Sequence, residues 1–489
     1  MKSTSQFAAR VVAALCSLVI AASAAAAEID INYEKFVLDN RLTLVVHEDH
    51  KAPVVAVNVW YHVGSKNEKE GKTGFAHLFE HLMFNGSENY NDDWFKPFDR
   101  VGGTGMNGTT NFDRTNYFQV VPKNALDFAL WMESDRMGHL LGAIDQDKLD
   151  EQRGVVQNEK RQGENQPYGK VWITAFKNIF PKGHPYSWSV IGYMEDLEAA
   201  SLEDVQDWFN QYYGAANAVL VVAGDVDAQQ VKERVEHFFG HIPAGPPLTR
   251  QDTWIPDLVG THRQVMQDRV PQARLSKVWM MPEIGNIEAE RLDLVAGILS
   301  EGKSSRLYKR LVHDDRIASD VAAFAFPLEI SGIFGVIATA MPGQDLASVE
   351  AAIDEEVERF LAEGPTRDEM TRITTRRKAA FVRGAVRVGG FGGISDILAR
   401  NEVYLGDPGA YTDTLEVWNT ATAKQLTAAA NKWMARGQYV LEVQPYEEYS
   451  VAESKADRSK FPDFGAPPAV SFDAFERAEL SSGLKVILA

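Results

Sequence analysis

The sequence predicts an α+β protein of two similar domains, each a mostly antiparallel sheet with helices packed on one face. Segments rich in β-branched residues alternate with segments of helical period, and their order repeats in outline after a stretch, 243–256, that holds four prolines. The 489 residues, 45% of them apolar, are sufficient for two such cores. Two α+β domains of similar size are therefore the simplest description.

The first domain is predicted over residues 28–245. Two segments rich in β-branched residues, 33–47 and 52–63, predict antiparallel strands joined by a polar turn. Ser201, followed three residues later by Asp204, predicts a capped helix start. The remaining elements are helices near 92–100, 126–141 and 147–162, a helix from Ser201, and strands at 109–121 and 218–223.

The second domain is predicted over residues 262–445, after a proline-rich linker at 246–261. Its order of strands followed by helices repeats that of the first domain in outline. The domain is predicted to be non-catalytic. Its elements are strands near 264–281, 318–340 and 438–444 and helices near 346–363, 367–386 and 419–434.

Residues 1–27 have the pattern of a secretory signal peptide. Lys2 and Arg10 precede an apolar run at 11–22, and an Ala-x-Ala site ends at Ala27. The only cysteine, Cys16, lies inside this segment, so the mature chain is expected to hold no disulfide. The sequence predicts export, to a bacterial periplasm, without stable membrane insertion after cleavage. A net charge of −18 argues against nucleic acid as a partner.

A short helix predicted over residues 75–83 carries the candidate site. Its apolar residues recur at i, i+3, i+4, i+7 and i+8, so they form one buried stripe. His77, Glu80 and His81 lie on the opposite face. Thr73 is predicted to cap the start of the helix, and residues 85–86 to end it. The stripe consists of Phe75, Leu78, Phe79, Leu82 and Met83.

The spacing of the two histidines predicts a metal site. Residues four apart stand one turn above each other on a helix, so His77 and His81 can reach the same ion. The pattern His-x-x-Glu-His is the inverzincin motif. A catalytic zinc usually has a third protein ligand. Glu159 is the best candidate, although spacing alone does not favour it over Glu151 or Glu164.

These residues resemble the pitrilysin and insulinase family of zinc metallopeptidases, which includes the mitochondrial processing peptidases. The resemblance rests on the motif at 77–81, followed 78 residues after His81 by Glu159 in Val-Val-Gln-Asn-Glu. It extends over most of residues 33–445, closely in the first domain and more loosely in the second. Further matching stretches are Gly102-Gly103 with Asn107, Thr109 and Tyr117, then 184–186, 191–192, 217–225 and 304–308.

The resemblance implies a function and a set of site residues. His77, His81 and Glu159 would bind one zinc ion per chain, and Glu80 would act as general base in the hydrolysis of peptides or unfolded polypeptide segments. In this family a peptide substrate is thought to add as a strand to an exposed sheet edge, which here resembles residues 105–110. Asn107, Gly108 and Thr109 are the candidate substrate-binding residues.

The chain departs from the family pattern in two respects. Some members carry another glutamate seven residues before the ligand glutamate, where this chain has Gln152 with Glu151 beside it. Family members also build a closed chamber from two similar halves, and the second half has no counterpart in residues 1–489. The predicted partner is therefore a second half-molecule of the same fold, supplied in cis beyond residue 489 or in trans.

The end of the sequence repeats its beginning. Residues 475–488 align without a gap on residues 33–46, at an offset of 442. Residues 446–473 are then predicted to be a linker, and 474–489 the start of a truncated second copy. The chain is expected to be the first half of a longer protein.

Two other functions are possible on sequence grounds. Residues 297–304 satisfy the P-loop pattern of a nucleotide-binding NTPase, but a helix is predicted where that motif requires a strand. The second alternative is a catalytically weak peptide-binding or assembly subunit of the same fold. The intact motif at 77–81 favours a metallopeptidase over both.

Overall fold

The computed structural model describes residues 30–447 and, after them, 456, 458–462, 465–469 and 474–488. The predicted signal peptide lies outside the described residues, as does much of the predicted linker at 446–473. The chain divides into two compact units, the larger ending at Tyr446 and the smaller beginning at Glu447. No helix among the described residues is long and apolar enough to cross a membrane.

The first domain is organised around a six-stranded sheet of order β1-β2-β6-β3-β5-β4. One prediction of strand pairing is wrong. The segment predicted as one strand at 33–47 is a hairpin of β1 and β2. It does not pair with the strand from 52–63, because β6 lies between β2 and β3, parallel to β2 and antiparallel to β3. The strands are β1 (Glu34–Val37), β2 (Thr43–Glu48), β3 (Val54–Tyr61), β4 (Thr104–Thr110), β5 (Thr115–Pro122) and β6 (Ala218–Gly224).

The predicted single strand at 109–121 is a hairpin of β4 and β5. Asn111 explains the turn, because its side-chain oxygen accepts from the backbone N–H groups of Asp113 and Arg114, at 2.7 and 2.8 Å. An Asn side chain that accepts from backbone N–H groups two and three residues later stabilises a turn, and the turn ends the extended strand. The hairpin makes β4 the edge strand of the sheet.

Eight helices belong to the first domain within the described residues. Ser201 caps the seventh with a capping box to Asp204, as predicted. The helices are α1 (Phe75–Leu82), α2 (Phe95–Arg100), α3 (Leu126–Gly138), α4 (Gln146–Asn165), α5 (Val171–Ile179), α6 (Met194–Glu198), α7 (Leu202–Tyr212) and α8 (Ala228–Phe239).

The second domain holds a five-stranded sheet of order β7-β11-β8-β10-β9, in which only the β7–β11 pair is parallel. Its strands are β7 (Thr261–Asp268), β8 (Arg274–Met281), β9 (Ala318–Pro327), β10 (Gly332–Ala340) and β11 (Gln438–Pro445). Its helices are α9 (Ile287–Ser300), α10 (Leu346–Glu363), α11 (Arg367–Ala385), α12 (Ile394–Leu405), α13 (Tyr411–Thr420) and α14 (Ala423–Met434).

The predicted α+β architecture is confirmed, and each domain also covers the sheet of the other. Helix α12 packs Ile394, Leu398 and Val403 against the outer face of the first sheet. Helix α5 packs against β11 of the second sheet. Helices therefore lie on both faces of each sheet. Helices lie where none was predicted in both domains: α5, α6, α8, α12 and α13. Helix α9 occupies the start of the P-loop pattern, so the strand that a P-loop requires does not precede it.

A buried cluster of charged side chains joins the domains. Lys66 forms ion pairs with Glu329 and, at 3.5 Å, with Asp113. His62 Nε2 lies 2.6 Å from the Glu329 carboxylate, and the Tyr186 hydroxyl donates to Asp113 at 2.5 Å. The backbone N–H of Glu329 also donates to Asp113, at 3.0 Å. Because Asp113 follows β4, this cluster ties the turn after the edge strand to the second domain.

The smaller unit contains a hairpin of β12 (Glu476–Glu479) and β13 (Lys485–Leu488). Its pairing repeats that of β1 and β2 at the 442-residue offset of the sequence repeat. Glu476 pairs with Leu488 as Glu34 pairs with Val46. The two segments therefore share a strand register as well as a sequence pattern.

The Glu329 cluster predicts an acid-sensitive stability. Burial alone would raise the pKa of Glu329, but the hydrogen bond to His62 and the charge of Lys66 outweigh it and lower the pKa to about 2. A depressed carboxyl pKa contributes stability above the unfolded value, near 4.5, that is lost as pH falls through the folded value. The unfolding free energy of the wild type should therefore fall between pH 6 and pH 2. In Glu329→Gln we expect this fall to be smaller by about 3 kcal/mol.

Urea denaturation across that pH range measures this effect. Glu358→Gln, at an exposed position of the same domain, is the matched control and should keep the wild-type decline. An unchanged acid slope in Glu329→Gln would contradict the assigned role of the cluster.

Candidate metal centre

Helix α1 places two histidines beside each other above the core. Its apolar stripe is buried in the first core as predicted, with Leu78, Phe79 and Leu82 fully covered. The prediction for the helix start is wrong. Thr73 does not cap it, because its hydroxyl donates to Asp196 at 2.6 Å, and Gly74 takes the N-cap position.

The structure brings His77 and His81 to Glu159 of helix α4. The Glu159 carboxylate lies 3.4 Å from Nε2 of His81 and 3.7 Å from Nε2 of His77. The two imidazole rings meet edge to face, with centroids 4.8 Å apart. Within the described part of the chain, this is the one group of three such side chains whose donor atoms all lie within 4.8 Å of one another.

This donor set fits a zinc ion. Two ligands about 2.1 Å from a tetrahedral zinc ion are about 3.4 Å apart, close to both distances in the site. Burial and the neighbouring His81 lower the pKa of His77 to about 4, so its imidazole is neutral near pH 7. A neutral imidazole gains little from an ion pair with Glu159 but can coordinate a metal. The contact of His77 with Glu159 is therefore better suited to a shared metal than to an ion pair.

Glu80 lies next to these donors, on the same helix, and is only 8% exposed. Burial raises the pKa of its carboxyl to about 7, although a hydrogen bond from Thr110 and the charge of Arg114 limit the rise. The Thr110 hydroxyl donates to Oε2 of Glu80 at 2.5 Å. A carboxyl group with a pKa near neutrality can both accept and release a proton, which general acid–base chemistry requires.

A cleft of about 730 Å³ opens beside the histidines. Gln152 lines it and donates to the Asn85 side chain at 3.3 Å, so the position that is glutamate in some relatives holds a neutral, hydrogen-bonded group. Glu151 lines the same cleft. The rings of Phe84 and Phe95, which stack with centroids 5.0 Å apart, also line it. The cleft therefore offers both an apolar and an acidic surface.

The candidate substrate-binding residues lie on β4. Asn107 pairs with Phe118 of the neighbouring strand and also lines the cleft. A Cβ at Gly108 would lie 2.7 Å from the ring of Phe84, so the close approach of this ring to the strand favours glycine there. The Thr109 hydroxyl donates to the side chain of Asn116 and not to Glu80.

Two residues that contact the site were not identified from sequence. Thr110 adjoins the predicted Thr109, and the alternation of side chains along a strand could have shown that positions 109 and 110 face opposite ways. Glu68, whose carboxylate contacts the start of α1, gave no such signal, because it lies in a loop without periodicity.

Two family models match the chain. The model described as "Insulinase (Peptidase family M16)" matches residues 43–191, which include the histidines and Glu159. The model described as "Peptidase M16 inactive domain" matches residues 199–376. The predicted family resemblance is therefore found in both domains.

Curated relatives include zinc proteases. Zinc protease PqqE of Helicobacter pylori is 30% identical over 378 residues, which cover 76% of this chain and 84% of the relative. A probable mitochondrial-processing peptidase subunit beta of Arabidopsis thaliana is 23% identical over 361 residues, covering 71% of this chain and 66% of the relative.

Solved structures share the fold. A protease from Helicobacter pylori superposes with a TM-score of 0.78 and 27% identity, over 85% of this chain and all of the other. The periplasmic protease PqqL from Escherichia coli matches with a TM-score of 0.70 and 15% identity, over 95% of this chain but only 56% of its own length. By sequence and by fold, the chain belongs to the insulinase family of peptidases, family M16.

Proposed function

We propose that this protein is a zinc-dependent endopeptidase that hydrolyses peptides or unfolded polypeptide segments. One observation carries the proposal: the donor atoms of His77, His81 and Glu159, which come from helices α1 and α4, lie within 4.8 Å of one another beside the buried carboxyl of Glu80. The family and the names of the zinc proteases among the relatives support the same reaction class.

His77, His81 and Glu159 would hold one zinc ion. A bound zinc ion lowers the pKa of water from about 15.7 to about 7 and polarises a carbonyl group. The side chain of Glu159 is half-exposed and lines the cleft together with both histidines. The proposed metal site is therefore open to a peptide in the cleft. The neutral state of His77 near pH 7 means that no proton has to leave this imidazole when the ion binds.

Glu80 would act as the general base. It would take a proton from the attacking water as the oxygen bonds to the peptide carbon, then give that proton to the departing amine as the C–N bond breaks. The Thr110 hydroxyl engages Oε2, and the proton transfer is therefore assigned to Oε1. The same hydrogen bond fixes the plane of the carboxyl group.

Strand β4 would bind the substrate. It is the edge strand of its sheet, and its residue Asn107 lines the same cleft as His77. Backbone groups at a free edge pair with any extended peptide, whatever its sequence. This mode of binding fits substrates that are unfolded.

A second half-molecule is part of the proposal. PqqL has about twice the length that this chain matches, which supports a partner half of the same fold, in cis or in trans. The match of residues 199–376 to a model named for an inactive domain supports a non-catalytic second domain. A catalytically weak, peptide-binding subunit is the second candidate. Activity of the isolated chain should be weak and should rise when a partner half is added.

Export is also proposed, on the signal-peptide pattern of residues 1–27 and the periplasmic location named for PqqL. Expression of the full reading frame in a bacterium, followed by mass spectrometry of the mature chain, would test it. The expected N-terminus is Glu28.

The three acids that the sequence left open can now be separated. Glu159→Gln should lower zinc affinity more than 100-fold, above the roughly 10- to 100-fold typical of groups that only hydrogen-bond to metal ligands. Glu151→Gln and Glu164→Gln, in the same helix, should keep about one zinc per chain. Competition with a chromophoric chelator measures all three. Equal affinities would contradict the assignment of Glu159.

Glu80→Gln should keep the fold and the zinc but lower kcat by about 10²- to 10⁴-fold, because the proton acceptor is lost while the metal donors remain. Cleavage of a fluorogenic, unstructured peptide measures this change, with zinc content determined on the same sample. A variant that cleaves at the wild-type rate would rule out the base, and a chelator-insensitive wild type would rule out the metallopeptidase.

Thr110→Val should move the acid limb of the kcat/KM profile to higher pH. The Thr110 hydrogen bond stabilises the charged form of Glu80, so its removal raises the pKa of the base, which must be deprotonated to act. Thr110→Ser keeps the hydroxyl and should leave the limb near its wild-type position. Identical pH profiles for the two variants would contradict this role of Thr110.

A further inference from the structure

The start of helix α1 is held by groups outside the helix. Gly74 occupies the N-cap position with φ of 80°, and it has no side chain with which to accept the N–H groups of the first turn. A Cβ at this position would lie 2.5 Å from the carbonyl oxygen of Ile191. The chain therefore passes too closely here for a residue with a capping side chain.

The Glu68 carboxylate supplies the missing cap. One oxygen accepts from the backbone N–H of Gly74 at 3.0 Å, and the other accepts from that of Ala76 at 2.8 Å. The indole N–H of Trp188 donates to the first oxygen at 2.9 Å. Glu68 is 6% exposed and Trp188 9%, so these hydrogen bonds are shielded from water.

These contacts fix the part of the helix that carries the first histidine. Ala76, which donates to Glu68, directly precedes His77, and His81 follows one turn later. Because both hydrogen bonds are shielded from water and join the first turn to a side chain outside the helix, they oppose any slide or rotation of that turn. A shift of about 1 Å in α1 would change both histidine–Glu159 distances, since Glu159 belongs to another helix.

Trp188 extends this constraint to a second segment. Its indole N–H also donates to the carbonyl of Ser65, at 3.1 Å, so one side chain links the loop that carries Glu68 to the loop after α5. Ile191, against which Gly74 packs, lies in the same loop as Trp188. The helix start is thus held from two sides by segments outside α1.

We infer that Glu68 is a positioning residue of the metal centre: its buried carboxylate, held by Trp188, sets the place of helix α1 and with it the distance of His77 and His81 from Glu159. The inference rests on the proposed metal site and adds a residue to which neither the motif nor the resemblance assigns a role. It does not require that the chain cleave peptides.

Metal affinity and geometry test this role directly. Glu68→Gln replaces one accepting oxygen with an NH₂ group that faces an N–H donor. We expect its zinc affinity to fall 10- to 100-fold, the range seen when groups behind metal ligands are removed. The visible absorption of the cobalt(II)-substituted protein should also change in position or intensity, because these bands report ligand geometry.

A control separates positioning from stability alone. Glu356→Gln removes a carboxylate that is equally buried, at 3% exposure, but lies in the second domain and pairs with Arg359. It should lower Tm while leaving zinc affinity and the cobalt spectrum unchanged. Trp188→Phe removes one hydrogen-bond donor from Glu68 and should lower zinc affinity two- to tenfold. If Glu68→Gln does not fold, this variant tests whether Glu68 positions the metal ligands.

The outcomes distinguish this inference from the proposed function. Wild-type zinc affinity in Glu68→Gln, or in Trp188→Phe when Glu68→Gln does not fold, would overturn the positioning role alone. Loss of affinity in Glu356→Gln equal to that in Glu68→Gln would also overturn it. A wild-type chain that binds no zinc would overturn the proposed function and this inference together. Weak peptide cleavage by a chain that binds zinc would leave the inference standing.

Discussion

The burial of one short amphipathic helix determines the rest of the site. Helix α1 inserts Leu78, Phe79 and Leu82 into the first core, and this packing turns the intervening polar positions toward helix α4. A close-packed core leaves little room for movement, so the helix that carries the histidines is fixed in position by the core that it packs against. A metal centre built on two helices depends on that firmness, because neither helix carries all three donors.

The second domain supports this arrangement without contributing a donor to it. The buried cluster around Glu329 and Lys66 reaches Asp113, in the turn that connects β4 to β5. Thr110, at the end of β4, contacts Glu80. The domain interface and the proposed base are therefore connected through one hairpin. Helix α12, packed on the back of the same sheet, adds to this support.

Sequence reasoning succeeded where periodicity or a local motif carried the information. The apolar stripe of α1 and the capped start at Ser201 both follow from patterns within one segment. Glu159 was a different case, because an exposed acid in a helix has no local signal that separates it from Glu151, and only the family resemblance favoured it. Its proximity to both histidines is a property of how two helices pack.

Two of the wrong expectations share one cause, which is contact between distant segments. Thr73 has a side chain that can cap a helix, but its hydroxyl donates to Asp196 instead. The Glu68 carboxylate accepts the N–H of Gly74 at the helix start. The strands at 33–47 and 52–63 are adjacent in sequence, yet β6 separates them, because it returns some 160 residues later to fill the space between them. Local propensity cannot show which distant residue will cap a helix or which distant strand will pair with a given strand.

The central claim is that a zinc ion lies between helices α1 and α4. The most direct measurement is a crystal structure of the zinc-loaded chain with anomalous data at the zinc absorption edge. The account predicts one strong peak about 2.0–2.2 Å from Nε2 of His77, Nε2 of His81 and a carboxylate oxygen of Glu159. No peak there, or a peak only at another histidine pair such as His139 and His241, would contradict it.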